Sequence, residues 1–105
     1  MAGPAGNGVR RFEVHCSGAV TETIRRALRE AAQQGRGQAM IAAFAEVLQR
    51  LRTDPFHTGE AAYRLPGLRM QVRSAAVRPL AVAFAVCEDR PLVFIKGVTL
   101  LSAGG

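Results

Sequence analysis

Three apolar, β-rich runs follow one another in the second half of the chain: Leu68–Ser74, Leu80–Val86 and Leu92–Val98. Parallel neighbours in a sheet need a crossover connection of a dozen or more residues, and the links between these runs are much shorter. The spacing therefore predicts an antiparallel meander of three strands. In the middle run, large apolar side chains alternate with alanines, so the two faces of that strand differ in size.

Two amphipathic helices are predicted upstream of these strands. Between Val20 and Gln34, and again between Met40 and Leu51, apolar residues recur at intervals of three and four. Gly35 is a typical helix-ending residue, and Asp54-Pro55 ends the second helix because the residue before proline avoids the helical region. Only a few residues separate the two helices, which favours an antiparallel helical hairpin.

The alternating segment Arg11–Cys16 predicts a further strand before the helices. The element order is then β-α-α-β-β-β, and we expect an α+β fold in which the helical hairpin packs on an antiparallel sheet in two layers. A chain of 105 residues suits one domain. We expect a flexible glycine-rich tail over residues 1–9, a single domain over residues 10–102, and a frayed end over residues 103–105.

Several classes of protein are disfavoured by the composition. The longest apolar run, Leu80–Cys87, has the length of a strand, far below the roughly 20 residues that cross a bilayer. The N-terminus lacks the basic and apolar regions of a secretory signal, so we expect a cytoplasmic protein without membrane partners. Cys16 and Cys87 form no CxxC pair or Cys/His cluster, and we expect neither a metal site nor a cofactor.

Charge is the most informative part of the composition. Lysine and arginine total 14 against 8 acidic residues, a net charge of +6, and Lys96 is the only lysine. Residues 61–87 contain four basic side chains and no acidic one. Such a one-sign segment suggests an anionic partner, because summed positive charge attracts phosphate-rich ligands. The four basic side chains are Arg64, Arg69, Arg73 and Arg78.

Alternation along Leu68–Ser74 separates three apolar side chains from three polar ones. We expect Leu68, Met70 and Val72 to face the helices, and the polar set to project from the opposite side. That side would be floored by the alanines of the middle run and lined by guanidinium groups, which bind phosphate with two parallel hydrogen bonds. The polar set is Arg69, Gln71 and Arg73.

The chain from Asp54 onward, together with the element order, resembles the RelE/ParE superfamily of bacterial toxins. The matching residues are Asp54-Pro55, Gly59-Glu60, Tyr63-Arg64-Leu65, the run Leu68–Ser74, and Val77-Arg78 before two apolar strands. The resemblance spans roughly residues 12–101. It implies a toxin that is neutralised by a cognate antitoxin. RelE-like members cleave messenger RNA, usually on the ribosome and without a metal, whereas ParE-like members act on DNA gyrase.

The resemblance also implies roles for individual residues. Arg69 and Gln71 stand where the family usually has two lysines on its second strand, and Arg78 stands at the recurrent arginine of the third. We therefore expect Arg69, Arg73 and Arg78 to stabilise a scissile phosphate, with Arg64, Gln71 and Lys96 binding the nucleic acid. Two of the departures from the family pattern concern the expected site directly. Gln71 is uncharged, and Thr99–Gly105 lacks the basic and aromatic C-terminal segment of the active ribonucleases.

The sequence contains clear candidates for binding phosphate but no clear candidates for transferring a proton. Arginine stays protonated in proteins, so it cannot serve as the acid or base that RNA cleavage needs. The remaining candidates form no recognisable pair in the sequence. Three functions stay open: a metal-independent RNA endonuclease, an inactive toxin-derived module that binds nucleic acid or protein, and a gyrase-targeting toxin. The candidates for proton transfer are His15, His57, Glu60, Tyr63 and Lys96.

Overall fold

A computed structural model describes residues 11–102, so the predictions for residues 1–9 and 103–105 lie outside the described residues. Two helices pack on one face of a five-stranded mixed sheet. The elements are β1 (Glu13–Cys16), α1 (Gly18–Gln33), α2 (Gly37–Thr53), β2 (Glu60–Leu65), β3 (Met70–Val77), β4 (Leu80–Cys87) and β5 (Leu92–Leu100). Short 3-10 turns, Pro55–His57 and Pro66–Leu68, precede β2 and β3.

Both helices are confirmed where the apolar period predicts them. The Ser17 hydroxyl accepts a hydrogen bond from the Val20 amide at 3.1 Å and caps the start of α1. Gly35, with φ of +73°, follows the end of α1, where a left-handed residue is typical. Asp54 terminates α2 immediately before Pro55. Local sequence signals therefore set these three boundaries.

The prediction of a purely antiparallel sheet is wrong. The strand order is β1-β5-β4-β3-β2, and β1 pairs with β5 in parallel, while every other neighbouring pair is antiparallel. The strands β1 and β5 are separated in sequence by both helices and the meander, which is ample length for the crossover that a parallel pair requires. The first strand thus extends the sheet beyond β5.

The element order also needs a correction, because β2 was not predicted. The observed order is β-α-α-β-β-β-β, with Glu60–Leu65 forming the outer strand beside β3. Leu68 lies in the 3-10 turn, so β3 starts two residues later than the alternation predicted and continues to Val77. Glu60 and the two alanines after it favour strands weakly, and the whole of β2 is largely exposed.

The core lies between the helices and one face of the sheet. Its fully buried members include Val47 and Leu51 from α2, Phe84 and Val86 from β4, and Val93 from β5. The predicted inward set of β4 is confirmed. Within residues 11–102, neither helix has the length and apolar content needed to cross a bilayer.

Candidate nucleic-acid interface

The sheet register decides which face each side chain of β3 occupies. Residues paired across neighbouring strands point to the same face of the sheet. Arg73 pairs with Phe84, which is fully buried beneath the helices, and Gln71 pairs with the equally buried Val86. Both polar residues therefore lie on the helix-covered face, and the prediction that they project from the opposite face is wrong.

Arg73 is a buried structural residue in this arrangement. Its side chain reaches the loop that leads into β2, where Nε donates to the Thr58 carbonyl and Nη2 donates to the Gly59 carbonyl, each at 3.1 Å. Nη1 donates to the side-chain oxygen of Gln71. Arg73 is only 8% exposed and has no carboxylate partner among residues 11–102. Neutral carbonyl oxygens thus satisfy this cation, and the guanidinium is unavailable to a phosphate.

The other two arginines expected at the phosphate lie at opposite ends of β3. Arg69 ends a 3-10 turn with a left-handed φ of 52° and lies 4.0 Å from the Asp89 carboxylate. Arg78 lies in the two-residue turn between β3 and β4. The eight residues of β3 between them span about 26 Å. Arg69, Arg73 and Arg78 therefore do not surround one site, contrary to our expectation.

Arg64 is engaged at the same end of the sheet as Arg69. Its Nε and Nη2 donate to the two carboxylate oxygens of Glu88, each at 2.7 Å. These hydrogen bonds lower the pKa of Glu88 and raise the pKa of Arg64. Arg64 pairs with Gln71 in the register and so points toward the helix side. Three residues were expected to bind nucleic acid. Two of them, Arg64 and Gln71, lie on the helix-covered side of the sheet.

Lys96 does lie on the opposite face, which we call the uncovered face because no helix of residues 11–102 packs on it. A bulge in β5 places Lys96 between Ile95, which pairs with Phe84, and Gly97, which pairs with Ala83. Alternation from the buried Ile95 points Lys96 outward, and its side chain is exposed. Lys96 makes no ion pair with any described residue.

A cross-strand row on the uncovered face contains the residues that sequence reasoning did not bring together. We call this set the aromatic row. Its outer positions carry rings, whereas the two inner side chains are small and only 4% exposed. In strand order from β2 to β1, the row is Tyr63, Val72, Ala85, Phe94 and His15.

His15 and Phe94 form a paired surface at one end of the row. Their ring centroids lie 5.6 Å apart with the planes tilted by 32°. The His15 Nε2 atom lies 3.0 Å from a carboxylate oxygen of Glu13, which orients the imidazole. At the other end, Tyr63 on the outer strand is 54% exposed. The row thus presents three rings to solvent on one face of the sheet.

A groove adjoins the aromatic row on the uncovered face. It consists of two cavities of about 360 and 240 Å³ that share Ser74 and Ala81. Its floor is made of small side chains. The predicted alanine floor of this face is confirmed, although no guanidinium group lines it. The small residues of the floor are Ser74, Ala76, Ala81, Ala83, Gly97 and Thr99.

The chemistry available within residues 11–102 is limited. No group of three His, Cys, Asp or Glu side chains is placed to hold a metal ion there. Two imidazoles have carboxylate partners: His15 with Glu13, and His57 with Asp54 at 2.8 Å. His57 lies in the 3-10 turn after α2, whereas His15 lies on the uncovered face. His15 is consequently the one imidazole of the described chain that could act on a ligand bound to the aromatic row.

No protein-family profile, curated protein or solved structure matches this chain. Phe94 was not a candidate in the sequence, and Tyr63 and His15 were candidates only for proton transfer. Gly59 is a turn residue that can precede the strand carrying Tyr63, and Phe94 lies among branched aliphatic residues, a composition typical of a strand. What the sequence did not supply was the register that aligns both with His15.

Proposed function

We propose that this chain is a toxin-like protein that binds single-stranded RNA on the uncovered face of its sheet. The aromatic row carries the proposal, because Tyr63, Phe94 and His15 offer ring surfaces that are aligned across the strands. Sheets with exposed aromatic residues are a recurring platform for single-stranded RNA, whose unpaired bases stack on the rings. The RelE/ParE resemblance supports the toxin-like part of the proposal.

Energetics favour this reading of the row. Stacking of a base on an aromatic side chain contributes about 1–3 kcal/mol, and it tolerates any base because every base has a π face. The net charge of +6 supplies long-range attraction to a polyanion. Lys96 adds a cation next to Phe94 on the same face. A phosphate linked to a base on Phe94 therefore has a nearby partner.

The shape of the face favours a single strand over a duplex. The rings stand on a shallow sheet surface and can contact only bases whose faces are free. In a duplex those faces are stacked on neighbouring bases, so an RNA duplex would have to expose a base before either ring could contact it. We accordingly expect single-stranded RNA to bind more tightly than a duplex of the same sequence.

Binding without cleavage is the better-supported form of the activity. Arg73 is occupied by loop carbonyls, and Arg69 and Arg78 lie at opposite ends of β3. Stabilising a pentacovalent phosphate requires cations that converge on it. Because these arginines do not converge, the endonuclease alternative lacks the phosphate site expected for it. Gyrase binding and neutralisation by a cognate antitoxin stay open as tests of the toxin-like assignment.

The binding test uses fluorescence anisotropy with a labelled ten-nucleotide RNA strand, the matching duplex and the DNA strand of the same sequence. Tyr63→Ala and Phe94→Leu should each weaken binding of the RNA strand by roughly fivefold to 150-fold, as loss of one stacking contact requires. Ile41→Ala is the matched control, since Ile41 is an exposed apolar residue on α2. Equal losses in all three variants would overturn the proposed surface.

The toxin-like part is tested in cells. Induced expression should arrest growth, and co-expression of a neighbouring acidic antitoxin should relieve the arrest. Total RNA should stay intact in the arrested cells, and plasmid supercoiling should be unchanged. Fragmented RNA would show that the protein is a ribonuclease and not only an RNA-binding protein. Altered supercoiling would indicate that DNA gyrase is the target. Growth without arrest would remove the toxin-like assignment and leave the RNA-binding measurement to stand alone.

A further inference from the structure

We infer that Tyr63 and Phe94 contact two bases that are not adjacent in the RNA, with the strand lying across the β-strands. This inference rests on the proposed function, because it concerns the path of the same RNA over the same face. It adds a spacing rule: the nucleotides that determine affinity are separated by at least one nucleotide that contacts no ring.

The spacing of the two rings follows from the sheet. Tyr63 is on β2 and Phe94 is on β5, and the residues between them in the row are Val72 on β3 and Ala85 on β4. Three strand-to-strand intervals therefore separate the two ring-bearing positions. At about 4.8 Å for each interval, the separation is about 14 Å.

Adjacent stacked bases are much closer together than that. A stacked strand rises about 3.4 Å per nucleotide, and even a single strand extended to about twice that rise carries a neighbouring base only about 7 Å along, half of the roughly 14 Å between the rings. The strand must span the distance with intermediate nucleotides, which pass over Val72 and Ala85. These two side chains are nearly fully buried and carry no ring, so the intermediate bases gain no stacking contact there.

The two ends of the row are unequal, and this fixes where the shortest RNA binds. Phe94 has the His15 ring beside it, with centroids 5.6 Å apart, and Lys96 follows two residues later on the same strand. Tyr63 stands on the outer strand and has no aromatic partner within residues 11–102. We therefore assign the tighter contact to the Phe94 end, and the second contact, made only by longer RNA, to Tyr63.

A length series tests this spacing. Dissociation constants are measured for unlabelled oligouridylates of two to eight nucleotides, by competition, with the unsubstituted protein, Tyr63→Ala and Tyr63→Phe. The readout is the factor by which each substitution weakens binding at each length. The electrostatic contribution to binding grows with RNA length equally in all three proteins. The factor therefore measures only the contribution of the ring at position 63.

For Tyr63→Ala we expect a factor of at most about two for the dinucleotide, rising to about tenfold once the RNA spans both rings. Tyr63→Phe retains a ring and should stay within about twofold at every length. The inference is overturned if Tyr63→Ala weakens the dinucleotide as much as the octanucleotide, or if it weakens neither. If the unsubstituted protein binds no RNA of any length, the proposed function itself fails. Unchanged circular dichroism verifies that each variant is folded.

Discussion

The α-carbon of Gly59 lies against the main chain of Ser74 on the neighbouring strand. A β-carbon at position 59 would lie 2.0 Å from the Ser74 carbonyl oxygen, and Gly59 also has a left-handed φ of +67°. Backbone atoms cannot move aside as a flexible side chain can. Only glycine fits the point where the chain leaves the 3-10 turn and enters β2, so this residue holds the outer strand in register.

Gly59→Ala should consequently destabilise the protein. The left-handed conformation alone costs about 1–2 kcal/mol with a β-carbon, and the close contact with Ser74 adds to that cost. Chemical denaturation should show a loss of at least about 2 kcal/mol in the free energy of unfolding. Gly67→Ala is the matched control, because a β-carbon there meets nothing within 4 Å. Equal stability of the two variants would contradict the tight packing of β2 on β3.

Replacing Arg73 should affect stability more than replacing Arg78. Arg73→Ala leaves the Thr58 carbonyl, at a buried hydrogen bond, and the partly buried Gly59 carbonyl without their donors, and loss of the buried bond costs about 1–3 kcal/mol. Arg78 lies exposed in the β3–β4 turn, and Arg78→Ala should change the free energy of unfolding by less than about 0.5 kcal/mol. Both values come from urea denaturation followed by circular dichroism. A larger loss for Arg78→Ala would refute the structural role given to Arg73.

The Arg64–Glu88 pair predicts a pH effect of defined sign. Hydrogen bonds from Arg64 lower the pKa of Glu88, so the folded protein binds this proton less readily than the unfolded chain. The stabilisation is therefore present above the unfolded pKa of about 4.3 and is lost as the pH falls through the lower folded pKa. Arg64→Gln should raise the Glu88 pKa, as measured by NMR titration of its carboxyl group. An unchanged Glu88 pKa in that variant would show that the pair does not persist in solution.

Much of the fold follows from local patterns, whereas the faces of β3 do not. Apolar periods of three and four predicted both helices, and Asp54-Pro55 ended α2 as expected. Alternation along β3 separated Arg73 from Val72, but it could not decide which set faces the helices. The usual assignment of apolar side chains to the helix side failed. Loop carbonyls satisfy Arg73 on the helix-covered face, and Val72 is buried although it lies on the uncovered face.

The hairpin between β3 and β4 held the missing information. The two-residue turn Arg78-Pro79 pairs Val77 with Leu80, and counting back four residues pairs Arg73 with the buried Phe84. The candidate site was harder to foresee, because it depends on long-range pairing. His15 reaches Phe94 through the parallel β1–β5 contact, and Tyr63 belongs to a strand with weak β-propensity. Neither pairing leaves a local pattern in the sequence.

Lys96 offers the most direct test of where a polyanion binds. If RNA lies on the uncovered face, Lys96 neutralises about one phosphate, and each such contact contributes about −0.7 to the slope of log affinity against log salt for a single strand. Lys96→Gln should reduce the steepness of that slope by about 0.7 between 50 and 200 mM salt, a range over which such effects are large.

Arg26→Gln is the matched control, since Arg26 is an exposed cation on α1, in the helical layer. Both variants remove one positive charge, so general attraction falls equally, and only a local phosphate contact makes their slopes differ. If Arg26→Gln reduces the steepness of the slope more than Lys96→Gln does, RNA binds on the helical side of the protein. The aromatic row would then have no role in RNA binding.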